Sequence, residues 1–241
     1  MIYVIGIGPG GIKYFTAEAV EAIHDCEFIA GYEKYIKLVQ KYFPDKKFMS
    51  YSMRQELERC KDVLNIALDQ KINIGLISGG DPDIYGMASP ILELAKNFKE
   101  LEIKIIPGLT AANTAAAILG APLSNDFAVI SLSDLLTSWD VIEKRIKAAC
   151  EGDFVICFYN PGSNTRRENF KRACEIMLIH KNKNTPAGIV KNISREGQEF
   201  KITTLDEIKN YEPKMNETII IGNSFSYIHD DKFITPRGYK I

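Results

Sequence analysis

The chain has 241 residues, of which 46% are hydrophobic, and a formal net charge of -1. This length suits one large or two small domains with a sizeable core, and the balanced charge gives no reason to expect a nucleic acid partner. No run of about 18 apolar residues occurs, and the N-terminus lacks the basic start of a signal peptide, so we expect a cytoplasmic protein with no membrane partner.

The first half alternates strand-like and helix-like patterns. This rhythm predicts an α/β domain over residues 1–119, built on a parallel, doubly wound sheet. Its strands are predicted at Ile2–Ile7, Glu27–Ala30, Phe48–Tyr51, Ile72–Ile77 and Glu102–Ile106.

The second half, residues 120–241, is predicted to form a separate domain after a hinge at Gly120–Leu123. Its last strands are separated by short segments, which favours a mixed sheet with fewer helices. Strands are predicted at Phe127–Leu132, Phe154–Tyr159, Ala187–Lys191, Phe200–Thr203 and Thr218–Gly222, and helices at Val141–Ala149 and Arg166–His180.

The five cysteines are odd in number and show no C-x-x-C spacing. A disulfide framework pairs its cysteines evenly, and a zinc site clusters them. We therefore expect reduced thiols in the core and no protein-bound metal.

One loop is placed to bind a ligand: Ser78–Ala88, which contains the sequence Gly-Gly-Asp-Pro and follows a buried strand. Ligands of open parallel sheets bind just beyond the carboxyl ends of the strands, and glycines there let a ligand approach the backbone. A tight structural turn explains the same residues, so the motif alone leaves both interpretations open.

A second glycine loop permits a rival interpretation. Gly6, Gly8 and Gly11 fit the dinucleotide fingerprint, with Glu27 near the end of the next strand, which indicates a nicotinamide-dependent oxidoreductase. The inserted proline and a helix that starts only near Thr16 weaken this interpretation, because the helix N-terminus then lies away from a pyrophosphate.

Further polar residues follow other predicted strands. The segments Pro107–Ala111 and Tyr159–Ser163 are loops at strand ends, and such ends converge on one crevice. A guanidinium group matches the geometry of a carboxylate. Arg166, at the predicted start of a helix, is therefore a candidate to bind a carboxylate. A polar cluster is predicted from Asp126, Ser131, Ser133, Asp134 and Thr137.

Together these loops resemble the tetrapyrrole methylase family, S-adenosylmethionine-dependent enzymes of corrin and porphyrin synthesis. The shared landmarks are Gly8-Pro9-Gly10, Gly79-Gly80-Asp81-Pro82 and Pro107–Ala111. The stretches Gly31–Tyr35, Asp126–Thr137 and Thr235–Tyr239 are similar to the branch that methylates C17 of precorrin-3B or cobalt-factor III.

The resemblance implies a two-domain homodimer with the cofactor in the cleft between domains. It implies cofactor-binding positions at Pro9, Gly79, Gly80, Asp81, Ile84, Thr110, Ala111, Tyr159, Asn160, Gly188 and Ile189, the last two at a strand end. Substrate-binding positions are expected at Gly8, Gly10, Tyr85, Ser133, Asn164 and Arg166.

The implied reaction transfers the methyl group of S-adenosylmethionine to C17 of a tetrapyrrole and contracts the ring, without a resident metal. Ring contraction needs proton transfers, for which Asp126, Ser131 and Asp134 are the candidates. Alternatives are a C11 or C20 methyltransferase and, on the N-terminal glycines, an oxidoreductase. Whether the substrate carries cobalt stays open.

Three positions depart from the family pattern. Asn125 stands where a histidine is expected, and Gly162 where an arginine is expected. Asp83 adds a second carboxylate after the Gly-Gly-Asp-Pro motif.

Overall fold

A computed structural model describes residues 1–96, 98, 100–163 and 166–240. The chain divides into two compact units, Met1–Ala111 and the part that begins at Ala112. Both units are mixed α/β, as the sequence predicts.

The first unit carries a five-stranded sheet of order β3-β2-β4-β1-β5 in which every pairing is parallel. The predicted parallel sheet is therefore confirmed. The strands are β1 (Ile2–Gly6), β2 (Phe28–Tyr32), β3 (Lys47–Tyr51), β4 (Ile74–Ser78) and β5 (Ile103–Ile106), and the helices are α1 (Ala17–Asp25), α2 (Glu33–Gln40), α3 (Glu56–Gln70) and α4 (Ala88–Ala95).

Alternation along β1 builds a core on each face of this sheet. Ile5 packs into the cluster that contains Ile23 of α1, whereas Val4 packs into the cluster that contains Leu64 of α3. Successive side chains of a strand point to opposite faces, so a strand covered by helices on both sides reads as a continuous apolar run. All five residues of β1 and all five of β4 are buried accordingly.

The late start of α1 bears on the dinucleotide interpretation. A single 3-10 turn, Ile12–Tyr14, follows the first glycine loop, and α1 begins only at Ala17. The Thr16 side chain accepts a hydrogen bond from the Ala19 N–H at 3.0 Å, as the sequence predicts for an N-cap. The free N–H groups that would hold a pyrophosphate are therefore displaced from the glycines and partly satisfied.

The second unit carries a mixed five-stranded sheet of order β10-β9-β11-β8-β7, in which only β7 and β8 pair in parallel. Its strands are β7 (Phe127–Ser131), β8 (Val155–Tyr159), β9 (Pro186–Lys191), β10 (Glu199–Thr204) and β11 (Glu217–Ile221). Its helices are α6 (Trp139–Glu151), α7 (Glu168–His180) and the short α8 (Leu205–Ile208), which the sequence analysis did not predict.

A small third sheet forms at the segment predicted as a hinge. Gly120–Ala121 is the strand β6, and it pairs in parallel with β13 (Lys232–Ile234), which in turn pairs with β12 (Tyr227–His229). A Cβ on Gly120 would lie 2.8 Å from the Phe233 carbonyl oxygen, and its φ is +134°. Glycine at this position therefore allows β6 to approach β13, which lies far away in the sequence.

Helix α5 (Ala111–Leu119) belongs almost entirely to the second unit. The boundary expected from the sequence lies after this helix, at Leu119. Leu119 lies directly over Gly188 of β9, where a Cβ would approach the Leu119 Cδ1 to 2.5 Å. Tight packing of the Ala-rich helix on β9 thus assigns it to the later unit.

All five cysteines are buried, unpaired thiols. Burial raises the pKa of the Cys26 and Cys174 thiols to about 12, so these thiols stay protonated near neutral pH. Over the residues that the structure describes, no helix is both long and apolar enough to cross a membrane.

Candidate functional site

The two glycine loops of the first unit are bonded directly to each other. The Gly8 N–H donates to the Gly80 carbonyl at 3.1 Å, and the Gly80 N–H donates to the Gly8 carbonyl at 2.8 Å. Both loops leave the carboxyl edge of the sheet, because β1 and β4 are parallel neighbours. The loops that the sequence analysis singled out separately therefore form one platform.

Asp81 fastens a third loop to this platform. One carboxylate oxygen accepts the Gly108 N–H at 3.0 Å, and the other accepts the Asp83 N–H at 2.8 Å. Charge-assisted hydrogen bonds to backbone N–H groups are among the stronger ones in proteins. Asp81 therefore holds the loops after β4 and β5 in fixed positions, whereas the Asp83 side chain is exposed.

The two adjacent glycines of the Gly-Gly-Asp-Pro motif have different roles. A Cβ on Gly79 would lie 2.3 Å from the Tyr35 ring, so this glycine makes room for an aromatic side chain of α2. Gly80 has a φ of +71°, and no atom lies closer than 3.9 Å to its Cβ position. Only Gly80 thus leaves open space beside the backbone for a ligand.

The other predicted positions of this unit differ in exposure. Ile84 and Tyr85 are exposed, by 37% and 53%, and Tyr85 adopts a φ of +54°, a left-handed conformation that is uncommon outside glycine. Thr110 and Ala111 are half-buried at the end of the β5 loop. Pro9 and its neighbours Gly8 and Gly10 are buried.

In the second unit, the parallel strands β7 and β8 end side by side, with Ser131 opposite Tyr159. The Tyr159 hydroxyl accepts the Ala112 N–H of α5 at 2.8 Å. Asn160 has a φ of +50° and donates through Nδ2 to the Ser131 hydroxyl at 3.0 Å. The predicted Tyr-Asn turn therefore connects the start of α5 to the end of β7.

This network continues to a guanidinium. The Ser131 hydroxyl also accepts the Ser133 N–H at 3.2 Å, and Arg166 Nη1 donates to the Ser133 hydroxyl at 2.7 Å. Arg166 Nε lies 3.9 Å from an Asp134 carboxylate oxygen, is buried, and has no hydrogen-bond partner among the residues that the structure describes. The side chain of Arg166 is only 10% exposed, so its position is set by the network.

Asp126 does not belong to this network. It precedes β7, whereas Ser131 ends it and Asp134 follows. A strand rises about 3.3 Å per residue, which separates Asp126 from Ser131 by about 16 Å along β7. Asn125 accepts the Asp126 N–H and donates to the Pro236 carbonyl, so it anchors the C-terminal segment.

Two other predicted positions lie elsewhere than expected. Gly188 and Ile189 are inside β9 rather than at a strand end, and both are buried. Gly162 stands where the family pattern has arginine, and a Cβ there would lie 2.0 Å from the Pro213 carbonyl oxygen, so this turn has no room for a side chain. Asn164, predicted to contact substrate, lies outside the described residues.

Arg59 of α3, which is 4% exposed, is one of the buried charged residues that were not predicted from the sequence. It falls on the same helical face as the buried Val63 and Ala67. A charged residue at an apolar position of a helix period is the sequence signal that identifies it.

Two open depressions of the second unit, of about 320 and 280 Å³, are lined by residues other than the predicted site residues. Within the described ranges, no group of three or more His, Cys, Asp or Glu side chains is arranged to hold a metal ion. The candidate site is therefore defined by its loops.

Comparisons with known proteins identify the family of this chain. The family model described as Tetrapyrrole (Corrin/Porphyrin) Methylases matches residues 1–209. The chain is 46% identical, over 100% of both chains, to a protein of Salmonella typhimurium named "Probable cobalt-factor III C(17)-methyltransferase". The chain belongs to the tetrapyrrole methylase family.

Two solved structures share the fold. The methyltransferase CobJ is 30% identical with a TM-score of 0.91, over 98% of this chain and 99% of that one. A uroporphyrin-III C-methyltransferase from Thermus thermophilus, solved with S-adenyl homocysteine, is 18% identical with a TM-score of 0.70, over 92% of this chain and 96% of that one. The predicted fold class and family are confirmed.

The two hydrogen bonds that the Asp81 carboxylate accepts, here called the Asp81 clamp, lead to a prediction about stability. We expect Asp81→Asn to lower the free energy of unfolding by about 1–3 kcal/mol, because an amide cannot accept both N–H groups. Urea unfolding followed by circular dichroism measures it.

The matched control is Asp83→Asn, whose exposed carboxylate leaves stability within about 0.5 kcal/mol. Equal unfolding midpoints for the two variants would contradict the clamp.

Proposed function

We propose that this protein is an S-adenosylmethionine-dependent methyltransferase of cobalamin biosynthesis that methylates C17 of cobalt-factor III or precorrin-3B with associated ring contraction. The observation that carries the proposal is the 46% identity, over the full length of both chains, to the Salmonella typhimurium relative. The joined glycine loops support it, because a platform at the carboxyl edge of a parallel sheet is a usual place for a ligand.

The residues of the first unit fit the cofactor. S-adenosylmethionine, when bound, supplies the methyl group that is transferred. Gly80 leaves its side of the backbone open, and Ile84 and Leu109 are each 37% exposed. Backbone groups and apolar side chains hold a cofactor without adding strong charges, so the residues present suit an adenosyl ligand.

Cofactor positions in the second unit are proposed at Tyr159 and Asn160. Each side chain is half-buried and held by a defined hydrogen bond. Gly188 and Ile189 are the weaker part of this assignment, because their burial inside β9 leaves them little surface for a ligand.

Arg166 is the proposed anchor for a substrate carboxylate. Precorrins carry carboxylate side chains, and a guanidinium fork matches their geometry. Ser133 and Asp134 hold the guanidinium, and its buried Nε retains an unused donor. Because Gly162 has no side chain, it cannot bind a substrate carboxylate, and we assign that role to Arg166.

Asp134 and Ser131 are the proposed acid–base groups of ring contraction. They lie at the carboxyl end of β7, beside the Tyr159–Asn160 turn. Asp126 lies at the other end of that strand, which makes it the less suitable of the predicted groups.

Mass spectrometry of the reaction product tests the function. We expect one methyl group to be added from S-adenosylmethionine to cobalt-factor III, and a parallel incubation with precorrin-3B shows whether cobalt is required. The position of the methyl group separates C17 from C11 and C20 transfer.

Calorimetric titration supplies the control for cofactor class. Binding of S-adenosylhomocysteine without binding of NADH is expected. The reverse result would support the oxidoreductase alternative.

The acid–base assignment generates a separate prediction. We expect Asp134→Asn to slow formation of the ring-contracted product by about 100-fold or more, since general acid–base groups contribute factors of that size. Single-turnover kinetics measures it. An equal loss in Asp126→Asn would contradict the assignment to the carboxyl end of β7.

Two finer expectations, a homodimer and a cytoplasmic location, are also proposed. The family resemblance supports the dimer, and five buried reduced thiols suit a reducing compartment. Sedimentation equilibrium at micromolar concentration is expected to give twice the 27.1 kDa chain mass. A monomer mass there, or recovery with membranes on cell fractionation, would exclude the respective expectation.

A further inference from the structure

Arg59 is a buried positive charge that forms no ion pair with any carboxylate in the part of the chain that the structure describes. It is 4% exposed, and among the same residues its Nε has no hydrogen-bond partner. None of the ion pairs found among the described residues includes it. Buried arginines are ordinarily paired, because taking an isolated charge out of water is unfavourable.

The guanidinium forms a weak hydrogen bond with a thioether. Arg59 Nη2 lies 3.3 Å from the sulfur of Met87, and a thioether is a poor acceptor. Burial lowers the pKa of the Arg59 guanidinium, which Glu56 on the preceding turn of α3 partly offsets. A carboxylate oxygen in place of the thioether would form a charge-assisted hydrogen bond instead.

This charge lies near the carboxyl edge of the first unit's sheet, where the candidate site is. Tyr35 and Tyr51 lie close enough to the guanidinium to raise the pKa of Arg59, against the larger lowering effect of burial. Tyr35 packs on Gly79, and Tyr51 is the last residue of β3. Met87 precedes α4 and ends the loop that starts at Gly79. The guanidinium therefore lies under the Gly79–Met87 loop, at the carboxyl edge of the parallel sheet.

We propose that Arg59 binds one peripheral carboxylate of the tetrapyrrole substrate, which displaces the Met87 thioether from the guanidinium. The inference rests on the proposed function and adds a specificity-determining residue to it. Methionine is unbranched and adapts its conformation readily, so its side chain can leave this position without rebuilding the core. The Arg59 fork is then available to a planar carboxylate.

A purely structural role for Arg59 predicts different behaviour. If the guanidinium served only to tether the loop, its removal would weaken the fold, the cofactor site and the substrate site together. If it awaits a carboxylate, its removal takes away an uncompensated buried charge, and the free protein becomes as stable or more stable while substrate binding weakens.

Arg59→Met separates these roles, since it keeps an unbranched apolar stem and removes the guanidinium charge. We expect KM for the tetrapyrrole to rise about 10- to 100-fold, the range that charged hydrogen bonds correspond to. The S-adenosylhomocysteine Kd by calorimetry stays within about twofold, and the urea midpoint is equal or higher. Arg59→Lys recovers part of the affinity because it restores charge without the fork.

The matched control is Arg145→Met, on the exposed surface of α6. It removes the same charge and is expected to leave KM unchanged, which excludes a general electrostatic effect. An unchanged KM in Arg59→Met, or a joint loss of stability, cofactor affinity and substrate affinity, would overturn the proposal.

Binding of uroporphyrin, a fluorescent tetrapyrrole with eight carboxylates, tests the inference without turnover. Fluorescence titration is expected to show about tenfold weaker binding to Arg59→Met than to the unmodified protein. Equal affinity would overturn the assignment of Arg59 even if methyl transfer is observed. Absence of methyl transfer with a retained affinity difference would instead reject the proposed reaction alone.

Discussion

The backbone bridge between Gly8 and Gly80 is the constraint on which the first unit's candidate site depends. Two reciprocal N–H···O bonds join the loops after β1 and β4, and Asp81 adds the loop after β5 through the Gly108 N–H. Each bond contributes only about 0.5–1.5 kcal/mol net, but together they fix three strand-end loops as one surface. A ligand that binds there meets a preorganised backbone and avoids the entropy of ordering it.

The second unit reaches a similar result with side chains. The Tyr159 hydroxyl accepts the Ala112 N–H of α5, and the neighbouring Asn160 donates to Ser131. The Ser131 hydroxyl also accepts the Ser133 N–H, and the Ser133 hydroxyl accepts from Arg166, so the position of the guanidinium is coupled to the end of β7. Its unused Nε donor makes this network suited to a further acceptor.

Arg59 and Arg166 are both buried guanidinium groups, and the stability of the fold does not require their charge. Each guanidinium has a buried Nε for which the described part of the chain supplies no hydrogen-bond partner. Stability is better served by an apolar residue at such positions, whereas recognition of an anionic ligand is better served by a desolvated charge. Two such arginines are consistent with the anionic substrate that we propose for this protein.

Much of the fold could be read from local patterns. Continuous apolar runs identified the parallel strands, the Thr16 cap fixed the start of α1, and the close spacing of the last strands indicated a mixed sheet. These features depend on neighbours in the sequence, so the residues themselves carry the information. The same holds for the glycine loops, which mark strand ends wherever the chain turns tightly.

Pairings between distant segments could not be read this way. The strand at Gly120–Ala121 exists because Phe233 and Ile234 lie beside it, and α5 belongs to the second unit because Leu119 fits over Gly188. The sequence placed Asp126 with Ser131, but an extended strand carries them to opposite ends of β7.

The sequence by itself determined the family, the sheet types and the loops that carry the candidate site. Only the tertiary structure decided that Gly79 accommodates Tyr35 while Gly80 stays open, and that Arg59 is buried with no ion pair to a described carboxylate. Loop chemistry follows from residue type and spacing, whereas burial and partnership depend on side chains brought together from distant positions.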